Sequence, residues 1–383
     1  MTNTRWLFIT LATLSLAACA APTAPPSTTV PFPTARPSAT ASPTTAPTPS
    51  PTPFVGGRYI AFTSNRGGQF QVYLIDLEES SETPISDTGG DSELPVWSPL
   101  GDALAYSGRV GDQDGFYQQQ VLLFDIRTQA TAQLTSGSAN TAPSWSPSGN
   151  AIAFLSDLKG SWGLYTMARD GSQASFLVGD LGYIDAPQWS TTTGEIIVPS
   201  MPTIVSDFDL LLATVGKVGA LNLTDNDFTD ADPSWSPDGE TVAFESDRNG
   251  KFQLFTMLPD GSSLSQLTNG LESAKLPRWS PDGSQIAFQG WSEGNLDIYL
   301  INADGTGLRR LTDDPAPDVS PVWSPDGHHI VFVTLRDDPN WTQCSDTRAC
   351  NSELYLIEIP DGHLTRLTDN NYPDVAPAWQ PSP

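Results

Sequence analysis

Apolar residues in this chain come in short runs of four or five, broken by turn-forming pairs, and the same order of runs and breaks recurs down most of its length. Trp235-Ser236-Pro237-Asp238-Gly239 is followed by Thr241-Val242-Ala243-Phe244, by Phe252-Gln253-Leu254-Phe255, by Asp260-Gly261 and by Leu267-Thr268. β-Branched and aromatic runs between Pro-Asp-Gly and Asp-Gly pairs predict four short strands joined by tight reversals, because those pairs supply the backbone angles a reversal needs.

The tryptophan recurs at 97, 145, 189, 235, 279, 323 and 379, in steps of 44 to 56 residues, each with a proline two positions earlier. A period of this size signals a repeat architecture. The second run also appears seven times, from Tyr59-Ile60-Ala61-Phe62 to His329-Ile330-Val331-Phe332. The two counts are out of phase: the first unit lacks a Trp run before Tyr59, and Trp379 has no second run after it. Joining the two ends completes a shared blade and leaves no open sheet edge. The expectation is an all-β propeller of seven four-stranded blades, with six as the alternative, spanning residues 54–383.

Within a unit, Ile152 and Phe154 share one face of a strand while Ala151 and Ala153 share the other, so both faces are apolar, as stacked blades require. The tryptophans are core. Proline removes a ladder donor, which puts the Trp strand at a blade edge. These residues resemble the TolB-type propeller repeat, whose consensus runs W-S-P-D-G, I-A-F, a Tyr-containing strand, Asp-Gly and Leu-Thr. The same repeats occur in the propellers of prolyl oligopeptidase and dipeptidyl peptidase IV relatives, so the resemblance implies fold more than function. The chain departs from TolB in lacking an N-terminal α/β domain and in having seven units where TolB has six, so TolB's particular partners do not transfer.

By that resemblance the Trp strand is innermost and lines the channel. Just before the Trp runs stand Asp91, Asn140, Asp185, Asp230, Asp232, Glu272, Asp318 and Asp374. These are expected to ring one mouth of the channel, where carboxylates would attract Ca²⁺ or a Lys/Arg-rich segment of a partner. The bland reading is that such residues make Asx turns and keep the surface soluble.

Two units are irregular. The fourth has Trp189-Ser190-Thr191-Thr192-Thr193-Gly194 in place of Trp-Ser-Pro-Asp-Gly, which reads as a degenerate blade. The seventh inserts Arg336 to Ser352, containing Cys344 and Cys350. In an exported chain the two predict a local disulfide worth about 2 kcal/mol. A stapled loop of this kind offers Trp341 and Arg348 as binding anchors, with decoration as the alternative.

The N-terminus sets the compartment. A basic start, an apolar run over Trp6 to Leu16, too short to span a bilayer, and Leu16-Ala17-Ala18-Cys19 read as a signal peptide over residues 1–18. The last four resemble the lipobox of bacterial lipoproteins, which implies cleavage before Cys19 and a lipid on its sulfur; an ordinary signal cut near Ala18 is the alternative. Ala20, by resemblance to diderm lipoproteins, implies the outer membrane; in a monoderm cell the site would be the outer face of the cell membrane. Residues 20–53 hold eleven prolines among Thr, Ser and Ala, a polyproline-II tether reaching up to about 100 Å.

Forty-four acidic against 18 basic residues give a formal charge of -26, which excludes nucleic acid as a partner, because phosphate binding needs a basic surface. Gly290-Trp291-Ser292-Glu293-Gly294 matches the G-x-S-x-G elbow of hydrolases, but that elbow needs a strand, a turn and a helix with a histidine nearby. Here strands flank it on both sides, and His328, His329 and His363 follow turns of the opposite rim. The sequence therefore favours a lipid-anchored extracytoplasmic propeller that binds a protein or peptide, contacts the membrane only through its lipid and has no assured cofactor, with Ca²⁺ as a candidate. A hydrolase or lyase acting on sugars or lactones in the channel is the alternative.

Overall fold

Each run that contains one of the seven tryptophans lies at the end of an antiparallel sheet, and seven such sheets form the blades of a ring. The computed structural model describes residues 57–111, 117–203, 207–344 and 346–382. The expected signal sequence, Cys19 and the expected tether lie outside these described residues.

Blade 1 is built from both ends of the chain. Asp374–Trp379 pairs with Tyr59–Ser64, which pairs with Gln71–Asp76 and then Ser81–Pro84. In that closing pair Ile60 stands opposite Trp379 and Ser64 opposite Asp374. Blades 2, 3, 5, 6 and 7 start from the inner strands Ser92–Trp97, Asn140–Trp145, Asp230–Trp235, Ser273–Trp279 and Asp318–Trp323. The ring is thus closed by pairing, and seven-bladed.

The repeated residues explain the repeated geometry. The aromatic of the second strand is buried between blades, with Phe62, Phe244, Phe288 and Phe332 fully sequestered, while Ala61, Ala105, Ala153, Ala243 and Ala287 occupy the other face. Large side chains of one blade therefore meet small ones of the next, and each such phenylalanine contributes about 1.5–3 kcal/mol of burial. The indole N–H of five of the tryptophans ties neighbouring blades together: Trp97 donates to the Ala378 carbonyl (3.0 Å), Trp145 to Val96 (3.2 Å), Trp235 to Gln188 (3.1 Å), Trp279 to Ser234 (3.1 Å) and Trp323 to Arg278 (3.0 Å). At the seam Trp379 donates to the Gly57 carbonyl (3.0 Å).

The Leu-Thr element is equally regular. Its hydroxyl accepts from a backbone N–H of the third strand fourteen residues earlier, as Thr268 does from Leu254 (2.9 Å), Thr312 from Ile298 (3.0 Å) and Thr368 from Leu354 (2.9 Å). This anchors the outermost strand, which is short and exposed.

Six inner strands carry a bulge, and at each the residue three positions before the tryptophan is left-handed: Leu94, Ala142, Asp232, Leu276, Ser320 and Ala376, with φ between 48° and 56°. Non-glycine residues adopt this region at a cost and only where their surroundings hold them. Blade 4 solves the same problem by breaking. Its inner strand is split into Tyr183–Ile184 and Gln188–Trp189, and Trp189 donates to the Thr193 carbonyl of its own altered turn (3.2 Å) instead of to blade 3.

Candidate functional site

The acids in front of the Trp strands fall into distinct environments, which corrects the expected single ring around the channel. Asp230, Asp318 and Asp374 occupy the first position of their inner strands and are fully buried. Each is held by an arginine two residues beyond the second strand's last Ser or Thr. Arg248 bonds Asp230 at 2.7 Å, Arg336 bonds Asp318 at 2.9 Å and Arg66 bonds Asp374 at 2.9 Å. The same arginines donate through Nε to Ser246 (2.8 Å), Thr334 (3.0 Å) and Ser64 (3.0 Å).

The clamp has an aromatic floor. Arg66 lies over Phe62 and Tyr73 (5.3 and 4.7 Å to the ring centres), Arg248 over Phe244 and Phe255 (5.4 and 4.8 Å), and Arg336 over Phe332 and Tyr355 (5.5 and 4.7 Å). A planar guanidinium suits both tasks, pairing edge-on with a carboxylate while its face stacks on rings. Burial nonetheless pushes Asp318 above the usual carboxylate range, against the pull of Arg336. Asn140 holds the equivalent place in blade 3, where the turn has Leu158 and no arginine, and it donates to Gln120 (2.9 Å) and the Ser138 carbonyl (2.6 Å). A charge is kept only where its counter-charge is.

The sequence reading missed these arginines. The signal was present as Ser64-Asn65-Arg66, Ser246-Asp247-Arg248 and Thr334-Leu335-Arg336, in three units that also carry Asp five residues before the tryptophan.

Of the eight expected rim residues, only Asp185 and Asp232 line the central channel, a cavity of about 270 Å³ walled by inner-strand prolines and small apolar side chains. With them stand Arg278 in the lining and Glu245 behind it. Glu245 is fully buried, bonds Lys275 Nζ at 3.0 Å and accepts from the Leu276 N–H at 3.1 Å. Burial, then the nearby charges of Glu245 and Asp185, pushes the Asp232 carboxyl well up, and burial raises Asp185 in the same direction. Among the described residues this is the acidic part of an otherwise apolar wall.

The remaining two go elsewhere. Asp91 accepts from the Phe70 N–H at 3.0 Å, a turn-stabilising bond. Glu272 is exposed, and its backbone N–H donates to the Trp291 carbonyl at 2.9 Å. A further acid, Asp297, bonds Arg310 at 2.7 Å, yet its burial wins and pushes it up to about 6.

In the insert of blade 7, Cys344 and Cys350 are joined as a disulfide, with Cα atoms 5.8 Å apart. The loop carries a short 3₁₀ turn over Trp341–Gln343. Its Arg348 reaches across blade 1, lying over the Phe70 ring at 4.4 Å, and ion-pairs with Glu93 of blade 2. Trp341 packs with Leu335, Ala316 and the disulfide. The one grouping of three donor side chains within reach of a single ion, among the described residues, is Asp338 with Cys344 and Cys350. Disulfide sulfurs are not the thiolates a metal takes, and the dispersed rim acids do not supply the six to eight converging oxygens of a calcium site.

The G-x-S-x-G match is a hairpin. Ser292 pairs with Asn295 across Glu293-Gly294, both left-handed at φ 55° and 83°, the angles of a tight two-residue reversal between strands.

The "TolB beta propeller domain" family model matches residues 37–193 and 265–343. The Tol-Pal system protein TolB of Francisella tularensis subsp. holarctica (strain OSU18) is 28% identical over 209 residues, covering 53% of this chain and 46% of that protein. The chain spans about half the length of the curated relatives it matches. Among solved structures, TolB from Acinetobacter baumannii superposes with a TM-score of 0.54 at 18% identity, over 87% of this chain and 68% of that one. An oligogalacturonate lyase in complex with manganese gives 0.62 at 14%, over 80% and 87%. The β-propeller domain of the Trilobed protease from Pyrococcus furiosus gives 0.61 at 11%, over 82% and 96%, and is described as having an open velcro topology, where the ring here is closed. At these identities the structural likenesses establish the fold alone. With a family match over more than half its length and the repeat written through all seven blades, the chain belongs to the TolB β-propeller family.

Proposed function

We propose that the protein is an extracytoplasmic, lipid-anchored scaffold whose propeller binds a protein or peptide on the rim that carries the stapled loop. The observation that carries this reading is the reach of that loop. It leaves blade 7, is fixed by the disulfide and lands through Arg348 on Phe70 of blade 1 and Glu93 of blade 2. A loop held at both ends and laid over blades 1 and 2 is a preorganised surface, and preorganisation lowers the entropic cost of binding. The curated relatives are components of the Tol-Pal system by name, which supports an envelope setting and protein partners. Acids left unpaired on this face, Glu272 among them, favour a partner segment carrying lysine or arginine, drawn in by a protein of net charge -26.

The anchor is proposed at Cys19, with residues 20–53 as the spacer. Fatty-acid labelling of the chain, lost in Cys19→Ala, tests it; labelling that persists without Cys19 sinks it. For the rim, a photo-crosslinking side chain placed at position 341 is compared with one at position 364, on the far rim. Crosslinks to envelope proteins are expected from 341 and to weaken when Arg348→Ala releases the loop from Phe70 and Glu93. Equal crosslinking from both positions would remove the assignment to this face.

A further inference from the structure

Away from the axis, between blades 2 and 3, lies a second and larger cavity of about 880 Å³. It owes its existence to one elongated hairpin. In blade 2, Ala103–Gly111 pairs with Tyr117–Asp125 over nine residues, but the inner neighbour reaches only Gly108 and the outer one only Leu122. Beyond Arg109, whose N–H still donates to the Asp91 carbonyl (2.8 Å), the end of the hairpin stands clear of the blade as a two-stranded ribbon, Val110–Gly111 against Tyr117–Gln118, and forms one wall of the groove. Blade 3 supplies the other with Asp157 and Trp162.

The groove has a built aromatic platform. Tyr117 is 50% exposed, yet its side chain rests on glycines: a Cβ added at Gly89, Gly90 or Gly111 would stand 3.4–3.6 Å from its nearest atom. Three glycines around one exposed tyrosine leave its outer face open and its inner face supported. Trp162, half-buried, lies across the groove. Between the two rings the polar groups are planar and of mixed sign. Asp157 spends one oxygen on the Ala139 N–H (2.8 Å), and among the described residues Gln118, Gln119 and Arg109 have no side-chain bond or ion pair. In a chain this acidic, the groove stands out for its balance.

We infer that this groove binds a neutral oligosaccharide of two to four rings. Sugar rings present flat C–H faces that stack on aromatic side chains, and rims of hydroxyls that pair with the two-pronged ends of Gln, Asp and Arg. A cationic peptide would face Arg109, and a polyanion would face Asp91 and Asp157, so neither suits a lining of both signs. The volume falls in the range of small-ligand sites. Arg348 of the stapled loop and its partner Glu93 edge the groove, but Tyr117 and Trp162 belong to blades 2 and 3, so the sugar reading stands or falls on those two rings and not on the loop's partner.

Calorimetric titration of the full chain with chitotetraose, cellotetraose and maltotetraose, beside tetragalacturonate and tetralysine, tests the inference. At least one neutral tetramer should bind, and Tyr117→Ala and Trp162→Ala should each weaken it about tenfold or more. Tyr117→Phe, which keeps the ring, should retain affinity, and thermal melts of all three variants should match the parent, showing that the loss is local. Tyr117→Ala should leave crosslinking from position 341 in place, whereas Arg348→Ala weakens that crosslinking. The inference is overturned if no neutral tetramer binds at millimolar concentration, if only a charged probe binds, or if binding is indifferent to both aromatic substitutions.

Discussion

Asp230 and Asp232 are two residues apart on one strand and meet opposite electrostatic conditions. Asp230 lies before the bulge, turned to the rim, where Arg248 at 2.7 Å and Asn226 at 2.8 Å satisfy it. Asp232 is the left-handed residue of the bulge, turned to the channel, where its closest charged neighbours include Glu245 and Asp185. The bulge changes which wall the carboxylate faces. It follows that an acid in front of a Trp strand is structural or chemically available according to its offset from the tryptophan: minus five is clamped, minus three and minus four reach the channel.

The sharpest way to break this contrast is to remove a clamp. Asp318 is fully buried with Arg336 2.9 Å away as its counter-charge. Arg336→Ala leaves that carboxylate uncompensated and also strips the cation from the Phe332 and Tyr355 faces, and the expected loss is about 3–5 kcal/mol of unfolding free energy in urea. The double variant Arg336→Met with Asp318→Leu should recover most of it, since replacing both members of a buried pair by apolar groups is close to neutral. A single variant as stable as the parent would mean that the clamp is ornamental and that the offset rule has no energetic content.

Much of this molecule is legible in its sequence. Trp-Ser-Pro-Asp-Gly and the second-strand runs specify seven blades and their out-of-phase ends specify the closure, because turn chemistry and alternation of large and small residues are local properties. The site is less legible. A bulge moves Asp232 to the channel without any glycine or proline at that position to announce it, and the pairing of Asp374 with Arg66 joins residues 308 apart in the chain. The clamp could be found only by aligning the repeats with one another, so that Asp and Arg are seen to come and go together. The groove beside Tyr117 was invisible for another reason: it depends on how far one hairpin outgrows its neighbours.

A milder test takes the other member of the contrast. Since the folded state holds Asp232 well above its unfolded value, its contribution to stability is complete below the unfolded pKa of about 3.9 and is lost as pH rises through the raised folded value. Asp185 and Glu245 press in the same direction, while Arg278 opposes it. Asp232→Asn keeps the shape and removes the charge, so at pH 7 to 8 its midpoint should exceed the parent's by about 2 °C, with the gap closing towards pH 4. The same substitution at Asp230 should lower the midpoint at neutral pH, since it breaks the bond from Arg248. Two substitutions of one type, two residues apart, are thus expected to have opposite signs, and equal signs would erase the distinction.

The smallest expected effect concerns calcium. A cation entering the rim would have to displace Arg66, Arg248 or Arg336 from carboxylates already bonded at 2.7–2.9 Å, and one entering the channel would meet Asp232, whose carboxyl burial pushes towards its neutral form. Calcium at a hundred times the Kd of a site adds about 2.7 kcal/mol to stability, so even a weak site would register in a melt. Millimolar calcium should therefore leave the midpoint of the parent within about 1 °C, at pH 6 and at pH 8 alike. A rise of several degrees confined to the higher pH and abolished in Asp185→Asn would show that the channel acids take up a metal, and the separation between a clamped rim and a channel whose acids burial disfavours as anions would then describe only the calcium-free protein.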